Sequence, residues 1–202
     1  AFTRKAGSII KIEELGRELT TLVLNAVGSR RVYLLLRESP DDDLKIRFTV
    51  PESNDDSHAD LAIRRDSPIL DWFKKDNSPL LRETMDIRPE FLALWKEEKA
   101  AMAAAEIEVI APLISRGNTV GVLALSKKSP TAPYDLSDIE LIRFMANEIA
   151  IAIENAQLHA RIETQAITDG LTQLHNRRYF DERLHEEIGR ESRYGGKFSL
   201  AL

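Results

Sequence analysis

Histidine and acidic side chains are the candidate metal ligands of this chain, because it has no cysteine to supply thiolates. No two histidines have the i, i+4 spacing that places a ligand pair on one helix face. We therefore interpret them as solvated side chains and expect no metal or haem site. They are His58, His159, His175 and His185. The lack of cysteine also excludes disulfides, a catalytic thiol and a thioether-linked chromophore.

Two short stretches raise the possibility of ion or phosphate binding. The acidic run 41–43 could bind calcium, but its oxygen ligands lack regular alternating spacing, so a solvated turn is the preferred interpretation. Gly195 and Gly196 form the only clear glycine pair, yet no glycine-rich phosphate loop precedes a helix. We interpret this pair as a turn into a C-terminal strand with the sequence KFSLAL.

The aromatic residues of the middle segment are candidates for ligand contact. Trp72 and Trp95 stand near Phe73 and Phe91 in a stretch without clear periodicity. Such aromatics are usually core residues. The alternative is that Trp72 or Trp95 touches a small ligand.

Composition and charge narrow the class of protein. The formal net charge is −5 and charged residues make up 30% of the chain, which gives no basic surface for nucleic acid. No apolar run approaches the roughly 18 residues of a membrane span. We expect a cytoplasmic protein with no nucleic-acid partner and no membrane contact in this stretch.

The elements that position these residues come as helices and strand pairs. Apolar spacing predicts helices over 9–27 and 137–166, the second with Ser137 as N-cap and Glu140 as its capping-box partner. Residues 68–75 are predicted to form a short helix capped by Ser67. Strand pairs are predicted over 30–50 and 106–128, the second joined at Gly117 and Asn118. Adjacent strand pairs predict an α+β fold with an antiparallel sheet.

The stretch APLISRGNTVGVLALSKKSPTAPYDLSDIELIRFMANEIAIAIENAQLH, residues 111–159, resembles the C-terminal half of a GAF domain. The segment DSPILDWFKKDNSPLLRE also fits the central part of that family. The resemblance implies a sensory and dimerising module with a flanked antiparallel sheet and a pocket for a small ligand. Cyclic nucleotides and bilins are disfavoured, because the Asn-Lys-Phe-Asp-Glu set and the cysteine that bind them are missing.

The stretch TDGLTQLHNRRYFDERL, starting at residue 168, resembles the opening motif of GGDEF domains, which are diguanylate cyclases. The resemblance implies a structural role at a turn for four residues of this chain: Asp169, Asn176, Arg177 and Arg178. In that family the catalytic residues come later, so we expect them beyond Leu202. This stretch alone is expected to be inactive and to need no cofactor, whereas a parent cyclase would use magnesium and GTP.

These resemblances divide the chain into three parts. Residues 1–158 are predicted to be a GAF sensory and dimerisation domain, 159–168 a helical linker, and 169–202 the start of a GGDEF domain.

Both long helices carry an apolar seam that could pair two chains as a parallel four-helix bundle. The predicted seam residues are Ile12, Leu15, Leu19, Leu22, Ile142, Ile149, Ile153 and Ala156. The alternative is that a single chain buries both seams internally. A homodimer is favoured, because the second half of the C-terminal helix extends past any sheet it could cover. On this hypothesis, Ile149→Glu dissociates the dimer. A second apolar face on that helix comprises Leu141, Phe144, Met145 and Ala152.

The predicted function is a sensory and dimerising module that regulates a diguanylate cyclase making cyclic di-GMP from two GTP. One alternative is a receptor that binds a small molecule while its GGDEF domain is degenerate. The other is a purely structural dimerisation platform.

Overall fold

The computed structural model describes residues 2–37, 39, 41–52, 61–128, 132–167, 172, 174, 176–195 and 199. Within these ranges, side chains are described except at 2–11, 160, 161, 163–167, 178 and 182. The chain forms two compact units. The core unit is Lys11–Ala156, and the terminal unit combines Ala1–Ile10 with Gln157–Leu202.

The core unit is built on one antiparallel sheet of six strands in the order β3-β2-β1-β6-β5-β4. The strands are β1 Val32–Leu36, β2 Leu44–Val50, β3 Ala62–Ile63, β4 Leu80–Leu81, β5 Ile107–Ser115 and β6 Asn118–Ser126. Both predicted strand pairs are present, and β1 and β6 join them at the centre of the sheet. The α+β prediction is therefore confirmed.

The β5–β6 turn differs by one residue from the prediction. Its central residues are Arg116 and Gly117, both with positive φ (50° and 79°), as a two-residue type I′ turn requires. Asn118 was predicted to lie in the turn but instead pairs with Ser115 in the sheet.

The helices are α1 Phe2–Val27, α2 Pro68–Phe73, α3 Arg82–Ile87, α4 Lys96–Ala104, α5 Leu136–Ile167 and α6 Arg177–Tyr194. The predicted cap of α2 is present, with the Ser67 hydroxyl accepting a hydrogen bond from the Ile69 amide. The stretch from 88 to 106, whose Ala, Leu, Glu and Lys content is typical of one helix, is broken. Pro89–Phe91 forms a 3₁₀ helix, and α4 begins only at Lys96.

Two helical layers cover the sheet. Alternate side chains of β1 pack against opposite layers, because successive side chains of a strand point to opposite faces of the sheet. Tyr33 and Leu35 pack with the layer formed by α2, α3, the 3₁₀ helix and α4, and Val32 and Leu34 pack with α1 and α5.

The start of α5 is tied to the end of β6. Asp135 and Asp138 cap the helix reciprocally, each carboxylate accepting a hydrogen bond from the other's amide at 2.8–2.9 Å. Lys128 Nζ lies 2.8 Å from both carboxylate oxygens of Asp138. The cap is therefore Asp135, two residues earlier than the predicted Ser137, because the acidic pair binds two amides and a lysine.

The stability of this junction should depend on the Asp138 charge. Burial acts to raise the pKa of Asp138, but the hydrogen bonds from Lys128 and from the Asp135 amide outweigh it and hold the pKa below 3.8. Because the folded pKa is depressed, the contribution to stability is complete above that value and is lost as pH falls through the folded pKa. Asp138→Asn should cost about 1.5 kcal/mol at pH 7 and flatten the acid limb of the stability profile.

Urea unfolding at several pH values, followed by tryptophan fluorescence, measures this effect. Both tryptophans of the chain, Trp72 and Trp95, lie in the core unit. Glu140→Gln, on the same exposed turn, is the matched control. An Asp138→Asn profile as steep in acid as the parent's would contradict the prediction.

Helix α6 begins at Arg177, within the stretch that resembles the GGDEF motif. The Asn176 side chain caps it by accepting a hydrogen bond from the Tyr179 amide at 3.0 Å. Within the described part of the chain, none of the helices combines the length and the apolar character that crossing a bilayer requires.

Candidate functional site

The two tryptophans lie in the layer that covers the β1 face bearing Tyr33 and Leu35. Trp72 is half-buried, and its ring centroid lies 5.6 Å from that of Phe91 in the 3₁₀ helix. Trp95 precedes α4 and is 41% exposed. Phe91 and Leu94 are buried between them, so the segment from the 3₁₀ helix to α4 is anchored in the core at two points.

An arginine stacks on each tryptophan. The Arg88 guanidinium carbon lies 4.8 Å from the Trp72 ring centroid, and that of Arg64 lies 4.2 Å from Trp95. Such cation–π contacts are worth about 0.5–1 kcal/mol at exposed sites. Each ring therefore already has a cationic neighbour from this chain.

A cavity of about 80 Å³ lies between this layer and β5. Its lining residues are Arg82, Met85, Asp86, Phe91, Leu94, Lys99, Met102 and Ile107. The interior is apolar, and the charged groups come from α3 and α4. It is about half the size of a 150 Å³ cavity that accepts benzene. Neither Trp72 nor Trp95 is among its lining residues, so their contact with a ligand stays a prediction.

A buried carboxylate holds α4 to the connection between β3 and α2. Glu98 is 3% exposed and accepts hydrogen bonds from the Arg64 amide at 2.7 Å and the Ser67 hydroxyl at 3.0 Å. Burial raises the pKa of Glu98 above 4.5, against the lowering effect of these bonds. The sequence showed Glu98 only as one of two neighbouring glutamates, so its role was not predicted.

Replacing Glu98 by Ala should destabilise the core unit by about 2 kcal/mol, because an amide and a hydroxyl lose their acceptors inside the protein. Glu98→Gln should cost less, since its amide group can still bond both partners. Because the folded pKa is raised, stability falls as pH rises from 4.5 through the folded pKa, and Glu98→Gln should remove this fall.

Thermal or urea unfolding between pH 4 and 8 tests both variants. Exposed Glu97 precedes Glu98 in the same helical turn, and Glu97→Ala should change stability by less than about 0.5 kcal/mol. Equal losses for Glu97→Ala and Glu98→Ala would contradict the role assigned to Glu98.

The predicted dimer seam lies at different depths along its two helices. Ile142, Ile149 and Ile153 are buried against the chain's own sheet, so these three side chains are core residues of the chain. Ile12, Leu15, Leu19 and Ala156 are half-buried, and Leu22 is 57% exposed. The face of α1 that packs inward is one position further along, at Gly16, Thr20, Val23 and Val27. Pairing through the two helices stays a prediction.

The outward face of α5 is apolar. Leu141, Phe144 and Ile151 are 37%, 64% and 51% exposed. Leu141 and Phe144 belong to the predicted second face, whereas Met145 of that set is buried and Ala152 half-buried. Ile151 was in neither predicted set, although its spacing from Phe144 is a heptad. On α1, an open, largely apolar groove of about 680 Å³ runs along Leu22 and Ala26.

The residues of the GGDEF-like motif are only partly described. Arg177 is the first residue of α6, where Asn176 is the cap. Asp169 and the side chain of Arg178 lie outside the described residues, as do His58, His175, Gly196 and most of KFSLAL. His159 and His185 are exposed, and Gly195 ends α6 with φ of 67°.

The acidic run bonds within the protein. Asp43 accepts a hydrogen bond from the Arg65 amide at 2.9 Å, and Asp42 accepts one from the Ser39 amide at the same distance. Among the residues that the structure describes, no group of three or more His, Asp or Glu side chains could hold a metal ion.

Comparison with known proteins gives one family. The family model described as GAF domain matches residues 11–154. No curated protein matches the sequence.

Solved structures with this fold include a GAF domain/HD domain protein from Geobacter sulfurreducens, with 14% identity and a TM-score of 0.58 over 73% of this chain and 95% of that one. A domain of a putative two-component sensor histidine kinase from Sinorhizobium meliloti 1021 has 16% identity and a TM-score of 0.56 over 75% and 97%. The second GAF domain of DevS from Mycobacterium smegmatis has 16% identity and a TM-score of 0.53 over 75% and 99%. At these identities the likeness is one of fold.

Proposed function

The chain belongs to the GAF domain family, and on that premise we propose that it is a sensory and dimerising module that regulates a diguanylate cyclase following it in a longer protein. GAF domains are typical of signalling proteins. The assignment of a diguanylate cyclase as the regulated domain depends on the GGDEF-like motif that follows α5.

The observation that carries the proposal is the continuity of α5. This helix begins in the core unit at Leu136 and continues to Ile167, where the GGDEF-like motif starts. Its first half is held against the sheet by buried residues up to Ile153. A rearrangement of the sheet or its covering layer would therefore act directly on the helix that leads into the motif. Asn176, one of the motif residues, caps the next helix.

In a dimer, the position of α5 would affect the rate of cyclic di-GMP formation. A diguanylate cyclase joins two GTP molecules, each held by one cyclase domain with magnesium, so product forms only when two domains face each other. A signal that favours one arrangement of the two chains would change the rate. It could do so only through different affinities for the two arrangements.

A structural platform without a ligand is the second candidate. The small volume of the cavity beside Met85 and Met102 favours it, since ligand pockets usually have volumes of about 300–1,000 Å³. A small-molecule receptor with a degenerate GGDEF domain is the other alternative.

The test is to incubate the longer parent protein with GTP and magnesium and to separate cyclic di-GMP by chromatography. The 202-residue chain serves as the control and should give no product. Product from the parent alone supports the proposal. No product, even from a parent covalently locked as a dimer, would refute cyclase regulation, and binding of cyclic di-GMP or GTP would then identify a receptor.

A further inference from the structure

The turn between β5 and β6 holds an arginine in a backbone conformation that arginine rarely adopts. Arg116 has a φ of 50° and is followed by Gly117 at 79°. A type I′ turn requires positive φ at both central residues, and glycine, asparagine and aspartate occupy such positions at the lowest cost. Turn formation alone would therefore favour a different residue at position 116. We expect the arginine side chain to make a contact outside the turn.

That contact is with helix α5. The Arg116 Nε atom lies 3.4 Å from a carboxylate oxygen of Glu154. The Ser115 hydroxyl donates a hydrogen bond of 2.6 Å to the same oxygen. Two neighbouring residues of the hairpin thus bind one oxygen of α5. We call Ser115, Arg116 and Glu154 the turn–helix contact.

The position of Ser115 in its strand explains its part in the contact. Leu113 and Ser115 are two positions apart in β5, so their side chains point to the same face of the sheet. Leu113 packs in the cluster that includes α5, and Ser115 is buried as well. A buried hydroxyl needs a hydrogen-bond partner, which Glu154 supplies. Because the acceptor is a carboxylate, this bond is the stronger part of the contact, and the ion pair from the exposed Arg116 side chain adds less.

The turn–helix contact lies at the end of the part of α5 that packs on the sheet. Glu154 directly follows Ile153, which is the last α5 residue of the buried cluster in the part of the chain that the structure describes. The core unit ends two residues later, at Ala156. Near the start of α5, Asp138 is bound by Lys128, which follows β6. Charged contacts therefore hold the packed part of α5 near both of its ends.

We propose that the turn–helix contact sets how firmly α5 is held where it leaves the core unit, and that the β5–β6 turn acts on the helix through Glu154. The inference rests on the proposed function and deepens it, because it names the contact by which the sheet acts on α5. A strained residue persists only where its surroundings hold it. The strain at Arg116 and the bonds to Glu154 are therefore coupled, so that a change in the turn changes the hold on the helix.

Amide hydrogen exchange of the 202-residue chain measures how firmly α5 is held. Glu154→Gln keeps the shape of the side chain and removes its charge, so it should speed exchange of the amides of residues 155–159 by at least about threefold. Glu148→Gln is the matched control, because Glu148 is an exposed glutamate earlier in the same helix. It should change those rates by less than about 1.5-fold.

Ser115→Ala removes the hydroxyl that binds Glu154, and it should speed exchange of the same α5 amides by at least about threefold. Both variants break one contact. Ser115→Ala/Glu154→Gln should therefore raise the rates by less than the product of the two single effects. Effects that multiply in full would mean that the two residues act separately, and the proposal would be wrong.

Arg116→Asn distinguishes the proposal from a turn that only closes the hairpin. Asparagine tolerates positive φ, so the amides of Ser115 and Asn118, which pair across the turn, should exchange more slowly. Loss of the ion pair should at the same time speed exchange in residues 155–159 by about twofold. Unchanged exchange in α5 would overturn the proposal.

Urea unfolding followed by tryptophan fluorescence verifies that the variants are folded. Faster exchange spread evenly over the sheet and α5 would indicate general destabilisation and would contradict a local contact. None of these measurements needs GTP. A parent protein that makes no cyclic di-GMP would refute the proposed function and leave the turn–helix contact intact, whereas unchanged exchange in every variant would refute the contact whatever the parent's activity.

Discussion

Ile149→Glu is expected to destabilise the core unit severely. The Ile149 side chain is 2% exposed and packs in the cluster between α5 and the sheet. A carboxylate there would lie among the apolar side chains of that cluster, and burying a charge in such surroundings costs several kcal/mol. We expect a loss of at least about 4 kcal/mol, a large part of the stability of an ordinary domain. Urea unfolding followed by tryptophan fluorescence measures it.

Phe144→Glu is the matched control on the same helix. Phe144 is 64% exposed, so the same new charge meets water and should change the stability of the folded chain by less than about 0.5 kcal/mol. The sequence suggested that Ile149→Glu dissociates a dimer by charging its seam. Because Ile149 is buried in the chain's own core, any dissociation would instead follow from loss of the fold. An Ile149→Glu variant as stable as the parent would show that Ile149 is not a core residue.

Gly16→Ala is expected to destabilise the core unit by about 3 kcal/mol, although alanine is the better helix former by about 1 kcal/mol. A Cβ built on Gly16 overlaps three atoms of the Phe48 ring. Phe48 is 8% exposed between α1 and the sheet, so its ring has little room to move. The missing side chain is what lets α1 approach β2.

The double variant Gly16→Ala/Phe48→Leu separates this clash from other effects. Leucine is smaller than phenylalanine. The double variant should therefore lose less free energy of unfolding than the two single variants lose together, by at least about 1 kcal/mol. Gly189→Ala in α6 is the control, because the nearest atom to its Cβ lies at 3.9 Å. It should raise the far-UV helical signal slightly and leave the fluorescence transition unchanged. A Gly16→Ala variant as stable as the parent would refute the close approach.

The candidate site was predictable only in part. Trp72 and Trp95 were identified as candidates, and their contact with a ligand stays a prediction, whereas α3 and the break before α4 were not predicted. Elements this short depend on tertiary packing, since a helix of six residues has little stability of its own. Glu98 could not be identified, because neighbouring Glu97 has the same residue type and only the fold buries one of them.

The sequence by itself determined the strand pairs, the two long helices and the family, because alternation, capping residues and turn glycines are local signals. Only the tertiary structure decided which stripe of α5 faces inward. Both stripes have nearly the same three-four spacing, and the position of Ile142, Ile149 and Ile153 opposite the sheet leaves Phe144 and Ile151 to the solvent. The direction in which a helix presents its faces is set by what it packs against, and periodicity alone carries no information about that.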